Sequence, residues 1–393
     1  MQRIVEEYNC YGCGACVEIC PKNCIEMKMS DGGFRYPYID ETRCIDCGKC
    51  KSRCIATQST QENRESKCMI GVHKDEQIWM NSSSGGAFSA IVECLYRENT
   101  MIYGVGYDKD LIVKHMSINS LADIHKFRKS KYVQSDLSNT YRDIENKLVE
   151  GYRVIFSGTP CQVAGLYAML GKTYDELYTI DIICTGVTSP RLFKKFIEML
   201  ENKYKKKVER LDMRYKIKNG TTWNIGDTQV VFEDGEIKRN PTTRLFRQVY
   251  GQKIAYRKSC YNCKFAQKNR GSDITIGDWW GSIEELDGVY EHKGISVMLF
   301  NTEKAKYLID KINDRMNTRE IDLSEAILDN PTLSHPTKYT GRCEMFWRDN
   351  NKYKANRLFR KYSKPKFTTY ILWKLSRLIP LSIRNVIKKI IVR

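Results

Sequence analysis

Cys10-Tyr-Gly-Cys-Gly-Ala-Cys-Val-Glu-Ile-Cys-Pro21 sets four thiols at the spacing C-x2-C-x2-C-x3-C ahead of a proline, and Cys44-Ile-Asp-Cys-Gly-Lys-Cys-Lys-Ser-Arg-Cys54 repeats the spacing. Nine of the 16 cysteines in this 393-residue chain lie between Cys10 and Cys54, a bunching that packing residues do not show. The N-terminus, Met1-Gln-Arg-Ile-Val-Glu-Glu-Tyr-Asn9, has no apolar run of signal-peptide length and no small-residue cleavage site. The expectation is a cytoplasmic protein, where thiols stay reduced and clustered cysteines serve as metal ligands rather than disulfides.

The spacing is that of bacterial two-cluster ferredoxins, in which three close thiolates hold three irons of one cubane and the fourth cysteine of each run reaches the other cluster. Cys10, Cys13, Cys16 and Cys54 are therefore expected to bind one 4Fe-4S cluster, and Cys44, Cys47, Cys50 and Cys20 the second. Zinc usually takes C-x2-C pairs separated by a longer loop, not triples. Gly12, Gly14 and Gly48 suit close approach of backbone to sulfur, although a tight turn explains glycine equally well. Ile55 stands where a second proline would fall. Two one-electron centres form a relay, so the chemistry is expected further along the chain.

The length predicts two domains or one with appendages. With 41% hydrophobic and 28% charged residues, wholesale disorder and a multi-span membrane protein are excluded. The net charge is +18, but 13 Lys and Arg with no Asp or Glu lie in 352–393, leaving +5 for the first 351 residues. Basicity is a tail property, no nucleic-acid-binding module is present, and nucleic acid is not an expected partner.

Four regions follow. Residues 1–60 read as an α+β ferredoxin-like two-cluster domain, 61–75 as a polar linker, 76–345 as an α/β body and 346–393 as a basic amphipathic helical tail. In the body, strands are expected at 101–107, 153–156, 177–183, 273–276 and 294–300, several followed by helices. The segment Asn81-Ser-Ser-Ser-Gly-Gly-Ala-Phe88 opens a helix over 87–97, and reads either as a phosphate-binding loop or as a plain serine cap. In Ser157-Gly-Thr-Pro-Cys161, Thr159 is a good N-cap and Pro160 a natural first helical residue, which leaves Cys161 in the first turn. Cys184 ends a strand and Cys260-Tyr-Asn-Cys263 supplies a C-x2-C pair. Spacing alone leaves a third cluster, a zinc site and structural cysteines all open for these four. Cys24, Cys68, Cys94 and Cys343 fit no pattern and read as packing residues. A nicotinamide fingerprint is absent, since Gly104-Val-Gly106 stops short of G-x-G-x-x-G, and no hydrolase motif is present.

Seven ordered motifs resemble the coenzyme F420 hydrogenase/dehydrogenase beta-subunit family over about residues 70–310. They are Ser82-Ser-Ser-Gly-Gly86, Lys131-Tyr-Val-Gln-Ser135, Phe156-Ser-Gly-Thr-Pro-Cys-Gln-Val-Ala-Gly165, Asp181-Ile-Ile-Cys-Thr-Gly186, Cys260-Tyr-Asn-Cys-Lys-Phe265, Ser272-Asp-Ile-Thr-Ile-Gly-Asp-Trp-Trp-Gly281 and Gly294-Ile-Ser-Val-Met-Leu-Phe-Asn-Thr-Glu303. The resemblance implies an FAD-binding body with a third 4Fe-4S cluster on Cys161, Cys184, Cys260 and Cys263. It places the flavin against Ser82, Ser83, Ser84, Gly85 and Gly86, against Lys131, Tyr132 and Gln134, and against Ser157, Gly158 and Thr159. The family commonly has His after the equivalent of Cys184, where this chain has Thr185, so no catalytic acid or base is assigned. Bacterial members fused to a ferredoxin domain often sit among polysaccharide-assembly genes without an evident deazaflavin supply.

The implied function is an iron–sulfur flavoprotein oxidoreductase, taking electrons from a ferredoxin-like donor to an organic substrate in polysaccharide biosynthesis. The alternatives are an electron-transfer subunit of a larger complex and a non-enzymatic cluster-binding sensor. In the tail, Ile383, Val386, Ile387, Ile390 and Ile391 line one helix face among Arg384, Lys388, Lys389 and Arg393. That stretch reads as a helix lying on an anionic inner-membrane face or docked on the body, with an acidic ferredoxin a third partner for its charge.

Overall fold

The computed structural model describes residues 4–58, 64–217, 227–280, 286 and 293–364. At the N-terminus an antiparallel hairpin, β1 (Ile25–Met29) and β2 (Arg35–Ile39), pairs Ile25 with Ile39 and Met29 with Arg35. Ile25 and Ile39 pack on Cys20 and Cys24. The two cysteine runs each form one short helix, Ala15–Glu18 and Lys49–Ser52, entered through Gly14 (φ 78°) and Gly48 (φ 69°). Only glycine adopts that left-handed conformation without strain, so the Cys-Gly step in each run is a backbone requirement.

The body is an eight-stranded mixed sheet in the order β13-β3-β12-β11-β7-β6-β4-β5. Its strands are β3 (Lys67–His73), β4 (Thr100–Tyr107), β5 (Val113–Ile118), β6 (Arg153–Gly158), β7 (Leu177–Ile182), β11 (Ile274–Trp279), β12 (Ile295–Phe300) and β13 (Met316–Ile321). β4, β6, β7 and β11 run parallel, and the remaining pairings are antiparallel. Both faces are covered. The helix Ala87–Leu95 packs with Ile102, Ile155 and Ile180 on one side, while Tyr141, Ile144 and Leu166 pack with Tyr103, Val154 and Phe156 on the other. Strands buried on both faces read as continuous apolar runs, as Val154, Ile155 and Phe156 do. A second core joins the helix Pro190–Tyr204 to a three-stranded sheet of β8 (Val208–Asp212), β9 (Gln229–Phe232) and β10 (Ile237–Lys238).

Two boundaries differ from the sequence reading. The stretch read as a linker, 61–75, contains β3, which pairs with β12 and β13 inside the sheet; its polar flanks hid a strand whose Met69, Ile70 and Val72 are buried. The tail was expected from 346, but the helices Gly341–Asn350 and Ala355–Tyr362 bury Phe346, Leu358, Phe359 and Tyr362 in the second core. The amphipathic stretch 383–391 lies outside the described residues. No helix among the described residues is long and apolar enough to cross a membrane.

Beneath the carboxyl edge of the sheet, Asp181 on β7 pairs with Arg270 at 3.0 Å, both almost fully buried. Nearby, Asp273 accepts from the Thr179 N–H and hydroxyl and from the Thr302 hydroxyl, tying β7 to β11 and β12. Burial pushes the Asp181 pKa up, and the Arg270 guanidinium opposes that shift. Removing one member of such a pair strands a charge in low dielectric. Arg270→Met should therefore cost about 3–5 kcal/mol in chemical denaturation, and Asp181→Leu added to it should recover part of the loss.

Candidate functional site

The sequence-predicted residues gather at the carboxyl edge of the parallel strands, where ligands bind in open α/β sheets. β6 ends at Gly158, and Thr159 caps the helix Pro160–Leu170 in a capping box: the Thr159 N–H donates to Gln162 Oε1 at 2.9 Å. Cys161 thus sits in the first turn, its Sγ 3.2 Å from Thr159 Oγ1. Cys184 follows β7, and Cys260 and Cys263 flank the end of the 3-10 turn Lys258–Asn262. The four thiols are brought within electrostatic reach of one another. Burial, and then Cys260, Cys161 and Cys263, raise the Cys184 pKa well above the ordinary value. Burial also pushes Cys161 and Cys260 up to about 12. Bare thiols here hold their protons, which a bound cation displaces. Among the described residues no three or more His, Cys, Asp or Glu side chains are drawn in tightly enough for a single metal ion; the four cysteines of a cubane each hold a different iron.

The N-terminal cysteines also come together. Burial raises the Cys16 pKa, with smaller contributions from Cys13, Cys10, Cys54 and Cys50. Cys20, Cys44, Cys47 and Cys50 line one cavity, and Cys47 is exposed. Cys24 packs with Ile25 and Ile39, as a packing residue does, and it also lines the same cavity, its Sγ 3.4 Å from that of Cys20. Cys68 and Cys343 are buried in apolar cores, and Cys94 contacts the Lys311 carbonyl at 3.3 Å.

The first N-terminal set faces the body. The helix Pro160–Leu170 carries Gly165 one turn beyond Cys161, and a Cβ there would lie 3.1 Å from Cys13 Sγ. Arg257 donates to the Cys10 carbonyl at 2.7 Å, to the Arg35 carbonyl at 3.0 Å and to Gln134 Oε1 at 2.9 Å. Gln134 Nε2 in turn donates to the Tyr11 carbonyl at 3.0 Å. Gln134, expected at the flavin, is therefore an interdomain latch.

The three segments expected at the flavin do adjoin. The Ser130 N–H donates to Ser83 Oγ at 2.8 Å, and His115 links Ser135 to the Ser157 carbonyl. The serine hydroxyls are used internally: Ser82 donates to Ile78 O and Ser84 to Ile295 O. Gly86, with φ 94°, is the N-cap of the helix Ala87–Leu95, so no serine caps it. Cations at this end went unread in the sequence. Lys216 donates to the Trp79 and Ser84 carbonyls at 2.6 Å, and Arg214 pairs with Asp278 at 2.6 Å. Burial drives the Lys216 pKa well below its ordinary value and that of Lys131 down to about 7. Neither ammonium has a carboxylate within ion-pair distance among the described residues; each donates to backbone carbonyls instead. Tyr132 stacks on Tyr250 at 4.1 Å, and Tyr250 meets the Thr185 hydroxyl at 2.8 Å, so aromatic rings bridge this segment to Cys184.

A dicluster-type cysteine domain docked on four further cysteines at a sheet edge defines the class: an iron–sulfur protein with an α/β body. Residues 9–57 match the 4Fe-4S dicluster domain. Residues 151–325 match the family described as the C terminus of the coenzyme F420 hydrogenase/dehydrogenase beta subunit. Both matches lie in this one chain without overlapping, and the Ser82–Gly86 and Lys131–Ser135 motifs fall outside the matched residues. An uncharacterized ferredoxin of Methanocaldococcus jannaschii is 37% identical over 51 residues, 13% of this chain and 65% of the ferredoxin. The chain therefore spans a little under two thirds of that curated relative. A chain of the F420-reducing [NiFe] hydrogenase complex from Methanosarcina barkeri, solved as a xenon derivative, aligns at 18% identity with a TM-score of 0.45, over 70% of this chain and 92% of that one.

Cys161→Ser should lower the iron of anaerobically purified protein from about 12 to about eight per chain, one cubane of four, leaving the N-terminal set intact. His115 tests the packing beneath the site. Its Nε2–H donates to Ser157 O, the Ser135 hydroxyl donates to Nδ1, and the ring stacks on Phe156. Burial lowers its pKa to about 4, so the unfolded chain binds the extra proton first and stability falls as pH drops from about 6.5 toward 4. Between pH 7 and 5 the wild type should lose about 2 kcal/mol more than His115→Gln in denaturant titrations.

Proposed function

We propose that this protein is a cytoplasmic iron–sulfur flavoprotein oxidoreductase that moves electrons between a ferredoxin-like partner and an organic substrate. The observation that carries the reading is the meeting of Cys13 with the Cys161 helix at Gly165, which brings one N-terminal cysteine set beside the third. Bound clusters would supply one-electron relay and bound FAD two-electron chemistry on the substrate.

The chain's own residues have three tasks. Cys47, exposed just ahead of the short helix that carries Lys49 and Lys51, would present the second N-terminal set to a partner. Arg257, Gln134 and Ser259 hold the first set against the body through the carbonyls of Cys10 and Tyr11. Lys131, Lys216 and the Ser82–Gly86 loop would hold the flavin diphosphate, with Tyr132 and Tyr250 toward Cys184. The loop follows β3, three strands from β7, a separation of about 14 Å at ~4.8 Å per strand. The basic tail would add contact with an anionic membrane face or an acidic partner. The beta-subunit family match favours a second reading, an electron-transfer subunit, which would reduce an artificial dye but turn over no substrate by itself.

Metal, sulfide and flavin content of anaerobically purified protein should give about 12 irons, three cubanes of four, and one flavin per chain. Dithionite should bleach both chromophores. About eight irons and no flavin after reconstitution would reduce the claim to the N-terminal domain.

A further inference from the structure

A second large cavity, of about 530 Å³, opens between the N-terminal domain and the body, away from the Ser82–Gly86 loop. Arg53, Ile55 and Arg64 form one wall, the helix Pro160–Leu170 with Tyr167 and Tyr174 another, and Lys264 and Phe265 a third. Its charge is one-sided. The floor cations Arg270 and Lys304 are matched by Asp181 at 3.0 Å and Asp273 at 3.4 Å. Arg53, Arg64, Lys172 and Lys264 line the cavity as well and have no carboxylate partner among the described residues. Arg53 and Lys172 are exposed and Arg64 and Lys264 half-buried, so the four cations ring an open hollow that an anion can enter.

The remaining lining says what kind of anion fits. Tyr167, Tyr174 and Phe265 offer aromatic surface, Lys172 lies 4.7 Å from the Tyr174 ring centroid, and the Tyr174 hydroxyl is buried without a hydrogen-bond partner. The volume lies in the range of about 300–1,000 Å³ typical of small-ligand sites. We infer that this cavity binds a diphosphate-bearing nucleotide, its phosphates among Arg53, Arg64, Lys172 and Lys264 and its base against the aromatic wall.

The position makes the site consequential. Lys264 adjoins Cys263, Pro160 adjoins Cys161, and Arg53 and Ile55 flank Cys54, so an occupant touches the walls of two cysteine sets. The same chemistry has two sources, the diphosphate of a flavin and a free nucleotide such as ADP. The first source excludes the flavin placement proposed above, at Lys131, Lys216 and the Ser82–Gly86 loop, whereas the second is independent of it, and the flavin content of the variants distinguishes the two.

The test is equilibrium dialysis of ADP and adenosine against anaerobically purified full-length protein, flavin-loaded and flavin-stripped, with iron content as the control for folding. ADP should bind the stripped protein, more weakly as salt rises, with adenosine at least about tenfold weaker, and Arg64→Gln with Lys172→Gln should weaken ADP by at least about tenfold at unchanged iron. If the double variant also loses flavin, and FAD blocks ADP, the occupant is the flavin's diphosphate. If flavin content holds while ADP binding is lost, the occupant is a second nucleotide. Undetectable ADP binding at millimolar concentration in the stripped protein, or equal affinity in the double variant, overturns the inference.

Discussion

Arg257 is the interaction on which the arrangement depends. It is 1% exposed, and its charge is held by carbonyls of the N-terminal domain and by Gln134, not by a carboxylate. Its guanidinium lies over the rings of Tyr36 at 4.1 Å and Phe34 at 5.5 Å. A buried cation without an anion is costly. Here it lies where thiolates are needed: its charge lowers the Cys161 and Cys260 pKa values against the larger effect of burial. The docking contact and the electrostatics of the third cysteine set are thus one feature.

Around that contact, the three cysteine sets differ in exposure. The set containing Cys47 meets solvent, the set containing Cys13 is covered by the body, and the set containing Cys184 is enclosed by Tyr250, Tyr256 and the 3-10 turn. Cys47 is thus the one exposed thiol among the three sets. Positive charge likewise takes two forms, desolvated at Lys131 and Lys216 and lining an open cavity at Arg53, Arg64, Lys172 and Lys264.

The polar motifs that looked functional divide on inspection into two kinds. Ser272, Asp273 and Asn301 bond within the sheet and tie β7, β11 and β12 together, while Asp181 pairs with Arg270 through Oδ2 and keeps a buried Oδ1 without a hydrogen-bond partner. Gly85 is required because a Cβ would lie 2.1 Å from the Gly71 carbonyl, so strand packing by itself accounts for that glycine. Ser157-Gly-Thr-Pro-Cys161 serves both ends at once: its capping box starts the helix and thereby sets the direction of Cys161.

The cysteine runs, the capped helix at Thr159 and most strands of the body were legible in the sequence because their causes are local: ligand spacing, cap chemistry and apolar period act over a few residues. The strand Lys67–His73 and the helix Ala355–Tyr362 were not, because polar neighbours masked short apolar faces whose partners lie far away in sequence. Arg257 and Lys216 carried no local signal at all, and the motif around Gln134 gave no hint of its bond to Tyr11. Their roles exist only once Cys10, Tyr11 and Ser84 have been brought to them by the sheet, because the burial and pairing of a lone polar side chain are set by tertiary neighbours. The sequence by itself determined the spacing of the thiols, a local property; the tertiary structure decided which runs face which and where unmatched cations line one cavity, because those depend on neighbours remote in sequence.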